Sequence, residues 1–220
     1  MASDAAPFLP AGGVPPLEEG EIHVWHDQAP AAGPAAVSAH ARARLDALAC
    51  TYAGSSTPPA IATGPHGKPH APSLPWLEFN LSHAGTHLLL AFARHQPLGI
   101  DLECTQRRPP TEGIARRYFA ASEAEALERL PPERRARLFL DLWTHKEAVL
   151  KALGHGLSFG LERVVFALEG DRVAGLQAVG DDGGGVAGWH ILRLAPAPTL
   201  LGTLAWRGAP RTVRCLAWVG

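Results

Sequence analysis

Two short stretches of the chain carry acids and lysines at regular spacing. The first ends in Asp101 and Glu103, which share one face if the stretch is a strand, because side chains alternate along a strand. The second contains Glu147 and Lys151, which share one face of a helix because they are four residues apart. Three carboxylates that meet form a hard oxygen site for a divalent cation, and a nearby ammonium group favours an anionic ligand. The spacing therefore predicts a site for a metal ion and a phosphate.

Both stretches also have simpler explanations. Glu147 and Lys151 could form a solvated ion pair worth only about 0.3–0.5 kcal/mol, and the two strand acids could lie on an exposed edge. Trp143 argues against the first explanation, because a tryptophan on the same helix face indicates that this face is covered. Gly99 argues against the second, because it leaves room for backbone or ligand beside Asp101.

Polar residues in two upstream turns could contact a phosphate. Ser82 and His83 lie at the end of a predicted strand, and Lys68 is held between Gly67 and Pro69. Ser82 and His83 are adjacent, so on a strand they point to opposite faces, which disfavours a serine hydrolase. The GxxxxGK[ST] phosphate loop is absent.

Composition limits the classes of protein that fit. The chain has 220 residues, 46% hydrophobic and 19% charged, with a formal net charge of −1, which is typical of a globular protein and argues against nucleic-acid or membrane coating. Three separated cysteines favour a reducing compartment, so we expect a soluble, cytoplasmic protein. Neither a secretory signal nor an apolar run long enough to span a bilayer is visible.

The order of predicted elements favours an α+β fold of two subdomains. Residues 1–20 form a Pro/Ala-rich arm, 21–105 an N-terminal subdomain and 106–220 a C-terminal subdomain, with the boundary at the Pro-broken segment after Glu103. Helices are predicted at about 35–52 and 132–153, each stopped by glycine, and a capping box at Ser122 and Glu125. Three strands at 77–81, 87–93 and 98–103 are predicted to form one antiparallel sheet, and the segment after 162 a strand meander.

With these residues noted, most of the chain resembles the Sfp-type 4′-phosphopantetheinyl transferases of the holo-acyl-carrier-protein synthase superfamily. The resemblance rests on an ordered set of motifs: Gly67-Lys68-Pro69, Phe79-Asn80-Leu81-Ser82-His83, Gly99-Ile100-Asp101-Leu102-Glu103, Arg117-Tyr118-Phe119 with Glu123, and Trp143-Thr144-His145-Lys146-Glu147-Ala148 through Lys151. It implies two similar subdomains related by a pseudo-twofold, each a small antiparallel sheet with flanking helices, and an active-site cleft between them.

The same resemblance implies roles for individual residues. Asp101, Glu103 and Glu147 would bind Mg²⁺, or Mn²⁺ in its place, and Glu147 and Lys151 would be catalytic. The residues implied to contact coenzyme A are Lys68, Ser82, His83, Lys151 and Arg44. For its 3′-phosphate, Arg42 and Arg44 are the arginines available before Lys68, and the choice between them stays open. Lys146 lies off the Glu147/Lys151 line and is not expected to contact phosphate. His145 stands where relatives often have arginine, so a surface contact is expected to differ.

The implied reaction moves 4′-phosphopantetheine from coenzyme A to a serine of an acyl or peptidyl carrier protein and releases adenosine 3′,5′-bisphosphate. We expect a monomer, since two subdomains in one chain can build the cleft. Two other functions use the same residues: a coenzyme A or nucleotide binder without transfer, and a Mg²⁺-dependent phosphohydrolase with water as the nucleophile.

Overall fold

The computed structural model describes residues 7–106, 111–156, 159–180 and 183–219. In that part of the chain the helices are α1 (Pro34–Ala53), α2 (Thr111–Tyr118), α3 (Ala121–Glu128) and α4 (Pro132–Leu153), with a 3₁₀ turn at Leu161–Arg163. The strands are β1 (Leu9–Ala11), β2 (Glu21–Gln28), β3 (Ala62–Thr63), β4 (Pro69–His70), β5 (Leu77–Ala84), β6 (His87–Arg94), β7 (Leu98–Cys104), β8 (Val164–Glu169), β9 (Arg172–Val179), β10 (Trp189–Leu194), β11 (Leu200–Arg207) and β12 (Thr212–Trp218). The α+β prediction is confirmed.

Two main sheets repeat one connectivity. The first has the strand order β1-β12-β2-β6-β5, and the second has the order β10-β11-β7. In the first sheet β2 is followed by α1 and the β5–β6 hairpin, and β2 pairs with β6, the second strand of that hairpin. In the second sheet β7 is followed by α4 and the β10–β11 hairpin, and β7 pairs with β11, the second strand of that hairpin. The chain therefore builds the same strand–helix–hairpin arrangement twice.

Three hydrophobic clusters hold the layers together. Helix α1 packs on one face of the first sheet through residues such as Leu45 and Leu48. The other face of that sheet packs against the second sheet, where Ile22 and Val24 meet Ile100. On the far side of the second sheet lies α4, whose Leu142 is fully buried. The order of layers is helix, sheet, sheet, helix.

Both long helices end as their sequences predict. Gly54 after α1 and Gly154 after α4 adopt left-handed conformations, with φ of 63° and 74°. A glycine accepts this conformation without the steric cost that a side chain brings, and its amide hydrogen can then bond to the last helical carbonyls. Because α4 ends at Gly154, Lys151 lies in the last turn of this helix.

Several details differ from the sequence-based expectations. β7 does not continue the β5–β6 sheet, because its ladder partner is β11 from the C-terminal half. Part of the predicted arm is ordered, since β1 pairs with β12 and Leu17 is buried. The predicted capping box at Ser122 is wrong, because Glu123 instead accepts from the Ala120 amide at 3.1 Å. The predicted boundary segment, residues 107–110, lies outside the described residues, and the division into 21–105 and 106–220 stays a prediction.

In the part of the chain that the structure describes, no helix combines the length and the apolar character that crossing a membrane requires.

Candidate active site

The candidate site lies where the two sheets meet. β5 is an edge strand of the first sheet and β7 an edge strand of the second, and no ladder joins them. Instead, the Asn80 side chain on β5 accepts a hydrogen bond from the Ile100 amide on β7 at 2.9 Å. Helix α4 packs against β7, with the backbone of α4 next to Gly99. The site residues of both sequence stretches are thereby brought together at one junction.

Gly99 sets how close α4 comes to β7. A Cβ atom at this position would clash with the Ala148 carbonyl oxygen and the Ala152 amide nitrogen, and would lie 2.8 Å from Cβ of Lys151. Two of these neighbours are helix backbone, which cannot turn aside as a side chain can. As expected, Gly99 permits a close approach, and the group that approaches is the backbone of α4. This approach places Lys151 over β7.

We therefore expect Gly99→Ala to push α4 away from β7. Overpacking against backbone should cost about 1–3 kcal/mol of unfolding free energy. Urea denaturation measures this, with Gly175→Ala as the matched control, since a Cβ at Gly175 meets nothing within 4 Å. Equal stability of the two variants would contradict the close approach.

Lys151 and Ser82 both bond to the carboxylate of Asp101. Nζ of Lys151 lies 2.6 Å from Oδ1 of Asp101, and the hydroxyl of Ser82 donates to the same oxygen at 2.9 Å. The Asp101 side chain is only 8% exposed, so this ion pair is shielded from solvent. Three of the predicted site residues thus form one connected cluster.

Two ammonium groups lie along the edge of β7 that faces away from β11. Lys68 donates to the Leu98 carbonyl at 3.0 Å, and Lys151 donates to the Ile100 carbonyl at 3.1 Å. Carbonyls two residues apart on a strand point to the same side, which is why both lysines reach this edge. Burial lowers the pKa of Lys68, and the Glu78 carboxylate partly opposes that shift. The edge of β7 therefore carries two cations: Lys151, which pairs with Asp101, and Lys68, which lies 4.0 Å from the Glu78 carboxylate.

Glu147 is the most strongly perturbed acid near this cluster. Burial and the charge of Asp101 raise its pKa to about 7; Lys151 lowers it and Glu103 raises it further. These interactions mean that all three predicted metal-binding carboxylates lie within electrostatic reach of one another. At neutral pH, Glu147 is poised between its protonated and ionised forms.

The donor set fits a hard divalent cation, although the carboxylates do not form a closed cage. Among the described residues no three His, Cys, Asp or Glu side chains are grouped closely enough to hold a metal ion. However, Oδ2 of Asp101 is buried and has no hydrogen-bond partner within the described structure. A buried polar atom of this kind usually has a partner. Together with the mutual repulsion of Glu147, Asp101 and Glu103, this free oxygen fits Mg²⁺, which prefers oxygen ligands.

Lys146 has a structural position. Its side chain is fully buried, and Nζ lies 2.6 Å from Oε2 of Glu123. It also donates to the carbonyls of Leu161 and Val164, while Oε1 of Glu123 accepts from the Phe166 amide at 2.9 Å. The pair therefore ties α4 to α3 and to the start of β8. The chain has only three lysines, Lys68, Lys146 and Lys151, and this one points away from the site.

Other predicted residues lie outside the Asp101 cluster. Arg44 forms an ion pair with Asp27 at 2.5 Å and stacks on the Trp218 ring at 4.0 Å. His83 is exposed and lies on the face of β5 opposite Ser82. Its predicted contact with coenzyme A, like that of Arg44, stays a prediction.

His145 and Trp143 are explained by packing. The expectation of a surface contact at His145 is wrong, because this residue is buried, its Nδ1 lies 2.7 Å from the Asp141 carbonyl, and burial lowers its pKa to about 3. Trp143 stacks on Phe139 at 5.9 Å and lies 6.4 Å from Phe119. The face of α4 that carries Trp143 is thus covered, as predicted. Phe119, which directly follows α2, contributes to this cover.

Sequence reasoning missed Asn80 and the pairing of Lys146 with Glu123. Asn80 carries no local signal of burial, because Phe79 and Leu81 point to the opposite face of the strand and its partner Ile100 lies on β7. The Lys146 pairing could not have been found from spacing, since Glu123 lies on a different helix.

Comparison with known proteins supports the motif assignment. A family model described as the 4′-phosphopantetheinyl transferase superfamily matches residues 97–191, which include β7 and α4. The chain is 36% identical over 132 residues to the 4′-phosphopantetheinyl transferase HetI of Nostoc, covering 60% of this chain and 52% of that protein. It is 37% identical over 111 residues to the 4′-phosphopantetheinyl transferase Sfp of Bacillus subtilis, covering 50% and 48%. It is 38% identical over 112 residues to psf-1 of Bacillus pumilus, covering 51% and 47%.

In each of these comparisons the chain spans about half the length of the relative. The matched family segment contains four of the predicted site residues: Asp101, Glu103, Glu147 and Lys151. The recognition drawn from the ordered motifs is confirmed as a similarity: residues 97–191 match the superfamily model, and the chain is similar to 4′-phosphopantetheinyl transferases over about half of its length.

Proposed function

We propose that the protein is an enzyme that transfers 4′-phosphopantetheine from coenzyme A to a serine of an acyl or peptidyl carrier protein. The observation that carries this proposal is the cluster of Ser82, Asp101 and Lys151 beside Glu147, which lies at the junction of the two sheets. Three of these residues fall in the segment that matches the superfamily. The names of the matched relatives support a transferase acting on this group.

The proposed chemistry is a displacement at the β-phosphorus of coenzyme A. The carrier serine oxygen forms the new bond to phosphorus, and the bond to adenosine 3′,5′-bisphosphate breaks. A divalent cation such as Mg²⁺, held by Asp101, Glu103 and Glu147, would neutralise charge on the pyrophosphate. Lys151, with its ammonium group beside Asp101, would stabilise the charge of the leaving group.

Glu147 is the proposed base that receives the serine proton, directly or through a water. Without metal, burial and the charge of Asp101 raise the pKa of Glu147 to about 7. A bound divalent cation would lower this pKa and keep the carboxylate ionised, which is the form that accepts a proton. The same carboxylates thus serve both metal binding and proton transfer in this proposal.

The two alternatives differ in their products. A phosphohydrolase would release adenosine 3′,5′-bisphosphate without a carrier, and a binder would release none. Measuring this nucleotide by chromatography, with and without an apo carrier protein, separates the three functions. The proposal requires release that depends on both the carrier and Mg²⁺.

Lys68 gives a prediction specific to the phosphate site. Lys68→Met removes one of the two cations at the β7 edge, so the KM for coenzyme A should rise roughly tenfold, because a hydrogen bond to a charged group contributes about 1.5–3 kcal/mol. The kcat should change by only a few-fold, since Lys151 remains. Steady-state kinetics measure both constants, and Arg129→Met, which removes an exposed cation after α3, should leave both unchanged. An unchanged KM for Lys68→Met would remove Lys68 from the site.

A further inference from the structure

We propose that Ser82 is a positioning residue that orients the Asp101 carboxylate so that a single oxygen, Oδ2, is left for the divalent cation. This inference rests on the proposed function and gives Ser82 a different role from the coenzyme A contact that the family resemblance implies.

The two oxygens of Asp101 have unequal surroundings. Oδ1 accepts two hydrogen bonds, from the Ser82 hydroxyl at 2.9 Å and from Lys151 at 2.6 Å. Oδ2 is buried without a partner among the described residues. A carboxylate with one saturated oxygen cannot exchange its oxygens by rotation without losing both bonds. The asymmetry therefore leaves Oδ2 as the oxygen of Asp101 that can bind a cation.

β5 fixes the backbone as well as the side chain of this part of β7. Asn80 and Ser82 share one face of β5, and Asn80 accepts from the Ile100 amide, next to Asp101. Asn80 is only 5% exposed, so this bond is protected from water. Since no ladder joins β5 to β7, these two side chains supply direct hydrogen bonds from β5 to Asp101 and to its neighbour Ile100.

The hydroxyl of Ser82 has one hydrogen, and that hydrogen is donated to Asp101. Ser82 can donate to a phosphate only by releasing the carboxylate. A positioning role thus predicts that loss of the hydroxyl weakens metal binding while leaving the binding of coenzyme A without metal unchanged. A direct coenzyme A contact predicts the reverse.

Mn²⁺ binding to the full chain, measured by electron paramagnetic resonance without coenzyme A or carrier, tests the inference. Ser82→Ala should weaken Mn²⁺ affinity about 10- to 100-fold, as is usual when a partner of a metal ligand is removed. Ser82→Thr keeps a hydroxyl and should restore affinity to within a few-fold of the natural protein. Ser38→Ala, at an exposed position of α1, should have no effect. Calorimetric titration with coenzyme A in the presence of a chelator should give equal affinities for all of these variants.

Three results would overturn the inference: no Mn²⁺ binding by the natural protein, equal Mn²⁺ affinity in Ser82→Ala, or an equal loss in Ser82→Thr. Because the titration uses no carrier, the outcome is independent of transfer. Hydroxyl-dependent Mn²⁺ binding in a protein that transfers nothing would overturn the proposed function alone. Active transfer together with unchanged Mn²⁺ binding in Ser82→Ala would overturn the positioning role alone.

Discussion

Replacing Glu147 with glutamine is expected to abolish transfer and to make the metal-free protein more stable. Glutamine removes the proposed base and a proposed metal ligand, so kcat should fall roughly 10²–10⁴-fold. It also removes a carboxylate that folding places in a buried position near Asp101 and Glu103. A change that impairs activity while improving stability is typical of a functional site whose charges repel one another.

The pH dependence of this stabilisation follows from the direction of the shift. The pKa of Glu147 rises from its ordinary value of 4.5 to about 7 on folding, so the folded protein holds the proton more tightly than the unfolded chain. Ionising Glu147 therefore costs stability progressively between pH 4.5 and pH 7, and the full cost is present above pH 7. Partial exposure to solvent reduces the cost to roughly 1–3 kcal/mol.

Urea denaturation at pH 5 and pH 8 measures this effect. Without metal, Glu147→Gln should be more stable than the natural protein at pH 8 and nearly equal to it at pH 5. Adding Mg²⁺ should stabilise the natural protein and leave the variant unchanged, because a ligand stabilises the state that binds it. A variant that is less stable at pH 8, or one that remains active, would remove Glu147 from its proposed role.

Lys146→Met is expected to destabilise the fold more than any other lysine change. It leaves Glu123 buried with an uncompensated charge and removes the donor to the Leu161 and Val164 carbonyls. Breaking a buried ion pair on one side costs about 3–5 kcal/mol of unfolding free energy. Thermal and urea denaturation should both report this loss.

Lys151→Met is the matched control, because Lys151 lies on the same helix but is partly exposed at the site. It should lose transfer and lose less stability than Lys146→Met, because Lys151 is 27% exposed and Asp101 keeps its hydrogen bond from Ser82. The double variant Glu123→Gln, Lys146→Met should recover part of the loss, since the neutral amide side chain of glutamine can still accept from the Phe166 amide. If Lys146→Met were stable and inactive, Lys146 would belong to the site and the assignment of two lysine roles would be wrong.

The site elements could be predicted from the sequence because their periodicities are strong and local. Alternation at Gly99, Asp101 and Glu103 identifies one face of a strand, and glycine at 154 marks the end of α4. The helix spacing of Glu147 and Lys151 likewise depends only on local geometry. These features identify Asp101, Glu103, Glu147 and Lys151, whereas Arg44 is a candidate only through the family resemblance.

The pairing of strands could not be predicted, because it depends on contacts far apart in sequence. Placing β7 beside β11 rather than beside β6 requires α4 to cross over between them, and nothing local in β7 specifies that partner. The expectation of a surface contact at His145 is wrong for the same reason, since its neighbours Phe166 and Thr203 come from distant strands. The Ser82–Asp101 bond also depends on this arrangement, because it joins the two sheets at their junction.

Intact-mass spectrometry of a carrier protein tests the central proposal most directly. The full chain is incubated with coenzyme A, Mg²⁺ and one apo acyl or one apo peptidyl carrier protein. The proposal predicts that a carrier gains the mass of one phosphopantetheine group on its serine, and that neither Glu147→Gln nor omission of Mg²⁺ supports this gain. Carriers of unchanged mass, with coenzyme A left intact or hydrolysed without an adduct, would contradict it.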